Sequence, residues 1–303
     1  LKVQSYYSNA KLLISGEYVI LNGSLALALP LVYGQSMEVK PLPEPLLMWK
    51  SWDFHKECWF EATFDTHTTF QLLHSSDAEL SHTLALIFRQ IRKINPSFLS
   101  QNGAEVQTYL NFNRHWGLGT SSTFLNNLAQ WAEVDAFELQ KEIWGGSGYD
   151  IACAQANTPI LYATQDGLPI IDPVQLAWPF ADQLYFVYLN QKQNTHQAIQ
   201  NFRAHTKLNS SQVEFFSQLT RDIVNCSQLD DFETLLHTHE HRLGELLQLT
   251  PVQARLFPDY PGKIKSLGAW GGDFILATRN QALSYFPERG YTTILPLTQV
   301  IKS

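Results

Sequence analysis

Residues 116–123, Trp116-Gly117-Leu118-Gly119-Thr120-Ser121-Ser122-Thr123, join two glycines to four consecutive hydroxyl side chains. Glycine lets backbone N–H groups turn toward one point, and the first turn of a helix leaves further donors unpaired. With the helix dipole and the hydroxyls of Thr120, Ser121 and Ser122, the stretch is a candidate anion site, suited to phosphate. A Gly-rich turn followed by a Ser/Thr N-cap is the plain alternative. No Lys follows the glycines, so this is not a Walker A sequence. Three other stretches set glycine near charge or hydroxyl: Ser8-Asn9-Ala10-Lys11 running on to Ser15-Gly16-Glu17-Tyr18, then Ser147-Gly148-Tyr149-Asp150, then Gly271-Gly272-Asp273.

The elements that must position these residues can be read from periodicity. The run from Glu105 to Phe112 alternates as a strand, and Phe124, Leu125, Leu128, Ala129, Trp131 and Ala132 recur at helical spacing, so the glycines lie between strand and helix. Before them, Leu25 to Leu29 and Gln35 to Val39 read as strands. Leu46 to Phe64 reads as a hairpin turning near Asp53-Phe54-His55-Lys56. Its Trp49, Trp52 and Trp59 either cover a sheet face or form a stacking platform, and packing is the favoured reading. Glu79 to Ile94 is a helix with Leu84, Ile87, Phe88 and Ile91 on one stripe, ended by Asn95-Pro96. Asp135 with Glu138 resembles a capping box for a helix to Trp144; Gly145-Gly146 breaks it, and Ser147 or Asp150 opens the next, through Ala156. Strands at Ile160 to Tyr162 and Leu184 to Leu189 precede helices at Thr195 to Ala204, Ser211 to Val224 and Asp231 to Leu247. A strand, loop and strand over Gly262 to Ala277, a short helix at Gln281 to Phe286 and a strand at Thr292 to Leu297 complete the chain. Strands and helices that mix without strict alternation indicate an α+β fold. The clearest break lies at Trp178-Pro179-Phe180.

Composition narrows the class. The chain has 303 residues, 45% hydrophobic and 16% charged, room for one large domain or two ordinary ones. A net charge of −7 without a basic run argues against a nucleic-acid partner. The longest apolar stretch, Leu25 to Tyr33, is broken by Pro30 and falls short of the ~20 residues of a membrane span. Cys58, Cys153 and Cys226 are scattered and form no CxxC, so reduced thiols in a cytoplasmic protein are expected. His237, His239 and His241 alternate along a helix, which does not gather them on one face for a metal. Residue 1 is not Met and no signal-peptide pattern follows, so a trimmed start is expected.

In order and separation, the four glycine-bearing stretches resemble the signatures of the GHMP kinases, the superfamily of galactokinase, homoserine kinase, mevalonate kinase and phosphomevalonate kinase. The resemblance spans nearly the whole chain, and Gly117-Leu118-Gly119-Thr120-Ser121-Ser122 is its most specific part, matching the family's GLGSS phosphate loop. It implies a two-domain fold: a ribosomal-protein-S5-like N-terminal domain and a ferredoxin-like C-terminal domain, with the substrate cleft between them. The expected division is residues 1–178 for nucleotide binding and 179–303 for completing the cleft. It implies ATP and Mg²⁺, with Gly117 to Ser122 on the nucleotide and Ser121 on the metal. Asp150, in the position of the family's SGxD aspartate, would be the catalytic base, a helix-capping carboxylate being the alternative. Lys11 fits the family's PGK lysine, a cation beside the reacting groups, or else is an ordinary solvated lysine. Glu17, Tyr18, Ser147, Gly148, Gly271, Gly272 and Asp273 would serve the substrate.

Departures accompany the match. Ser8-Asn9-Ala10-Lys11 lacks the family's Pro and Gly, leaving its loop geometry open; Ser122 and Thr123 carry hydroxyls where small apolar residues are usual. Asn113-Arg114-His115-Trp116 also lacks the customary Pro, and Ala269-Trp270 replaces a Gly-containing pair. The family's acidic Mg²⁺ ligand is not placed: Glu138, Glu142 or neither. Glu17-Tyr18, Asp150-Ile151-Ala152 and Gly272-Asp273 lean toward phosphomevalonate kinase over mevalonate kinase. The rivals are a kinase for a sugar or homoserine, and a non-catalytic sensor or pseudokinase. Oligomeric state has no signature in the sequence.

Overall fold

The structure, a computed structural model, describes residues 2–191, 195–270 and 272–302. Two compact units divide the chain, each built from several segments: Leu1–Ala10, Tyr33–Arg114 and Gly119–Gln155 form the first, and Lys11–Val32, His115–Leu118 and Ala156–Ser303 the second.

The first unit takes the start of β1 (Gln4–Ser15), the second half of β2 (Ala26–Leu42), β3 (Leu46–Trp52), β4 (Cys58–Asp65), β5 (Gln71–Ser75), α1 (Ala78–Ile94) and β6 (Gly103–Leu110). Its helices continue with α2 (Thr120–Ala132), α3 (Ala136–Ile143) and α4 (Tyr149–Gln155). The sheet order is β5-β4-β3-β6-β2; β3 and β6 run parallel, Leu47 opposite Ala104 through Trp52 opposite Tyr109, and the other pairs are antiparallel. A parallel pair needs a crossover, and β4, β5 and α1 supply it. Alternation decides which face is covered: Leu47, Trp49, Phe60 and Phe64 point into one core with Leu84, Phe88, Leu125, Leu128, Leu139 and Ile151 from the helices. Asp77 caps α1 through the N–H groups of Glu79 and Leu80, and Asp135 caps α3 through those of Phe137 and Glu138.

The second unit pairs the first half of β2 with β7 (Ile160–Gln165), which pairs with β8 (Leu168–Pro173). Its other sheet holds β9 (Leu184–Tyr188), β10 (Ile264–Ser266), β11 (Phe274–Thr278) and β12 (Ile294–Pro296) in the order β10-β11-β9-β12, all antiparallel. Between β9 and β10 come α5 (Thr195–His205), α6 (Ser210–Val224), α7 (Leu229–Leu247) and α8 (Val252–Leu256); α9 (Ala282–Tyr285) lies between β11 and β12, and α10 (Leu297–Val300) follows. Helices after the first and third strands, with the first strand central, make the ferredoxin-like arrangement.

The expected α+β class is the observed one. The stretch Ser8-Asn9-Ala10-Lys11 is strand, inside β1, rather than loop. Trp49 is buried against Phe88 and Phe124, and Trp52 stacks on Tyr109, so both cover the sheet. Elements not read from the sequence include β5, β8, α8 and α10. Pro169 and Pro173 mask β8, which tolerates them because it pairs on one side only.

Candidate active site

Gly119, at φ +93°, is the N-cap residue of the 13-residue α2, and no side chain caps that end. The hydroxyls that depart from the family pattern turn inward. Ser122 Oγ donates to the Gly119 carbonyl at 2.9 Å, and Thr123 Oγ1 donates to Gln35 Oε1 at 2.9 Å. Both side chains are buried, while Ser121 is exposed and Thr120 half-buried at the start of the helix. The first turn of α2 therefore offers backbone N–H groups and the Ser121 hydroxyl, with Ser122 bracing the turn.

The preceding residues, His115–Leu118, are seated on the second unit. Trp116 meets Phe274 edge-on, and Tyr188 Oη donates to the His115 carbonyl at 3.0 Å. The Lys11 backbone N–H donates to the Leu118 carbonyl at 2.9 Å, and Lys11 Nζ reaches the Gly117 carbonyl at 3.3 Å. Gly117 has φ +69°, and a Cβ placed on it would lie 2.5 Å from the Asp273 carboxyl carbon. The loop glycine thus has an ammonium on one group and a carboxylate against its Cα. Asp273, at φ +50°, is fixed by its own backbone: its N–H donates to the Gln191 carbonyl and its carbonyl accepts from Leu189 N–H. Gly272 is buried beside it, and Gly271 lies outside the described residues.

In the first unit, Asp150 stands in the first turn of α4, after Gly148 at φ +88°. Its Oδ1 accepts from Gln140 Nε2 of α3 at 2.9 Å. Asp150 and Ser147 are half-buried and Gly148 is buried. Glu138 and Glu142 are exposed on α3, while Gln140, between them, is 7% exposed. Among the described residues no group of three or more His, Cys, Asp or Glu is gathered as a metal site. Mg²⁺ is commonly held by one or two carboxylates together with substrate phosphates. Asp150 and the Ser121 hydroxyl each present an oxygen of the kind such an ion takes.

Glu17 and Tyr18 are buried within the second unit. Tyr18, at φ +62°, donates its hydroxyl to the Ala269 carbonyl at 2.7 Å and packs on Phe202. Glu17 accepts from Lys265 Nζ, and both side chains are almost wholly enclosed. His239 and Glu240 of α7 complete this cluster. Gly16 N–H donates to His239 Nε2 at 3.1 Å, and Ser266 gives both its N–H and its hydroxyl to Glu240. Burial, with Lys265 nearby, holds His239 well below the usual imidazole range, so it is neutral and its 3.5 Å approach to Glu17 is not an ion pair. Burial also raises Glu17, against the opposing pull of Lys265, and pushes Glu240 up to about 7. His239, Glu240 and Lys265 escaped the sequence reading. One signal was present: Phe232, Leu236, His239 and Leu243 recur at helical spacing, placing His239 on a buried stripe away from the exposed His237 and His241.

No family model matches the sequence, and no curated protein matches it. Solved structures do match the fold along almost all of the chain. A Lin0012 protein from Listeria innocua superposes with TM-score 0.71 at 15% identity, over 97% of this chain and 97% of that one. Lactococcus lactis galactokinase, complexed with galactose, gives 0.69 at 12% identity over 99% and 93%. Streptococcus pneumoniae phosphomevalonate kinase, in complex with phosphomevalonate and AMPPNP, gives 0.66 at 17% identity over 96% and 99%. The chain has the fold that these kinases share.

Proposed function

We propose that the chain is an ATP- and Mg²⁺-dependent small-molecule kinase that transfers the γ-phosphate to a hydroxyl or phosphate of a mevalonate-pathway metabolite, phosphomevalonate ahead of mevalonate. The observation that carries this reading is Gly117 set between Lys11 and Asp273, three residues before the first residue of α2, whose N-terminus no side chain caps. Phosphoryl transfer asks a protein mainly to position reactants and to balance charge. The α2 N-terminus would bind the phosphates through backbone N–H groups. Lys11 would offset charge developing on the transferred group. Mg²⁺, when bound, would neutralise phosphate charge, with the Ser121 hydroxyl as one of its ligands.

For a hydroxyl acceptor, Asp150 would take the proton as the acceptor oxygen bonds to the γ-phosphorus and the bond to ADP breaks. A phosphate acceptor brings its own oxyanion and needs no base, which separates the two favoured substrates chemically. The domain roles, 1–178 for nucleotide and 179–303 for acceptor, belong to the same proposal, although Lys11 and Gly117 fall in the second compact unit. Glu17 and Tyr18 would act by bracing the segment after Lys11, and Ser147 and Gly148 by aiming Asp150.

An ATP-consumption screen with mevalonate, phosphomevalonate, homoserine and common sugars tests the reading; turnover should appear with one of the first two. Nucleotide binding without turnover on any acceptor would favour the second reading, a non-catalytic sensor. That reading draws on Asp150 having an amide, Gln140, rather than a second carboxylate beside it.

A further inference from the structure

The α3 side chain hydrogen-bonded to Asp150 is neutral. Gln140 lies on the inward face of that helix, 7% exposed, while Glu138 and Glu142 on either side of it face solvent. Its carbonyl end of the helix is also committed: the backbone oxygen of Gln140 accepts from Trp144 and Gly145, which closes α3 and fixes where its side chain starts. From there Nε2 donates to Asp150 Oδ1 at 2.9 Å. An amide can donate where a carboxylate cannot, so the residue type decides what Asp150 can do.

We propose that Gln140 is the positioning residue of Asp150 and the group that puts an uncharged amide, not a second carboxylate, against it. Its N–H occupies one oxygen of Asp150 and fixes the plane of the carboxylate, leaving the other oxygen for the acceptor or a shared cation. Because Gln140 adds no charge, the protein alone binds a divalent cation weakly, and the cation arrives with the nucleotide's phosphates. This rests on the kinase reading for the identity of the phosphate-bearing partner, but not for the cation chemistry of the residue pair.

Two variants of the full chain test it. Gln140→Glu sets two carboxylates side by side, the arrangement that hard divalent cations prefer. Titrated with Mn²⁺ alone and no nucleotide, it should bind about tenfold or more tighter than the unaltered protein. A folded Glu variant with unaltered Mn²⁺ affinity would overturn the proposal. Gln140→Met keeps the length of the side chain and removes the donor. Where the screen finds a hydroxyl acceptor, which needs Asp150 as base, this variant should lose about tenfold or more in kcat while KM for ATP and Mn²⁺ affinity without nucleotide stay put. An unchanged kcat with a hydroxyl acceptor in the Met variant would also overturn it, and this holds even where the Glu variant does not fold. Failure of the kinase reading shows separately, as absence of turnover in the unaltered protein, and the Mn²⁺ comparison then still decides the role of Gln140.

Discussion

Enclosing Glu17, Lys265, His239 and Glu240 in one place removes four ionisable groups from water, and each residue settles the cost differently. Glu17 and Lys265 pair, His239 stays neutral, and Glu240 is held by Ser266. Removing one charge of a buried pair strands the other, so Glu17→Gln should lower stability by about 3–5 kcal/mol, read by chemical denaturation. Adding Lys265→Met should recover much of that loss. The proton balance at Glu240 has a definite sign. Its carboxyl is raised to about 7, so its contribution to stability is full below the ordinary carboxylate range and is lost as pH rises through about 7. Glu240→Gln is neutral throughout. Its melting temperature relative to the unaltered protein should therefore rise from pH 5 to about pH 7 and level off above it, and a pH-independent difference would refute that account. At the residue that faces chemistry, Asp150→Asn should cost roughly 10²–10⁴ in kcat with a hydroxyl acceptor. Asn keeps the size and polarity of Asp, so unchanged turnover would leave Asp150 only its structural bond to Gln140.

The element that matters most is the turn into α2. Gly119→Val would force a branched side chain to φ +93°, a region that costs an ordinary residue about 1–2 kcal/mol. We expect a tenfold or greater loss of nucleotide affinity in a folded variant, measured by equilibrium binding. This turn, its strand and its helix were legible because glycine, alternation and helical spacing are local signals. So were the α1 stripe and the Asp135 cap. Other features depend on residues far apart in the chain. Asp273 reaches Gly117 through the pairing of β11 with β9, and nothing near Gly117 announces it. Gln140 carries no local signal of a role, because an amide is not a typical cation ligand and its partner lies on another helix. Lys265 reads in sequence as a polar residue in a strand; only its pairing with Glu17 explains how it can be enclosed.

At the scale of the whole molecule, ligand and fold should be linked. A non-hydrolysable ATP analogue at about 100 times its Kd should stabilise the chain by about 2.7 kcal/mol, seen as a rise in melting temperature. Gly117→Ala, whose Cβ would meet Asp273, should lose that rise. The weave of the chain through its two units has a further consequence, for how the protein comes into being. Residues 11–32 belong to the second unit, yet their partners are Ile160 to Tyr162 in β7, Thr220 in α6 and His239 in α7. As the polypeptide leaves the ribosome, this early segment must wait for more than half of the sequence to follow it. Contacts of such long separation slow folding and leave apolar strands exposed meanwhile. Val19, Ile20 and Leu27 to Leu29, all buried at the end, are the residues kept waiting. A nascent chain arrested after residue 178 should accordingly be protease-sensitive across residues 11–32, and protected there only once synthesis has passed α7.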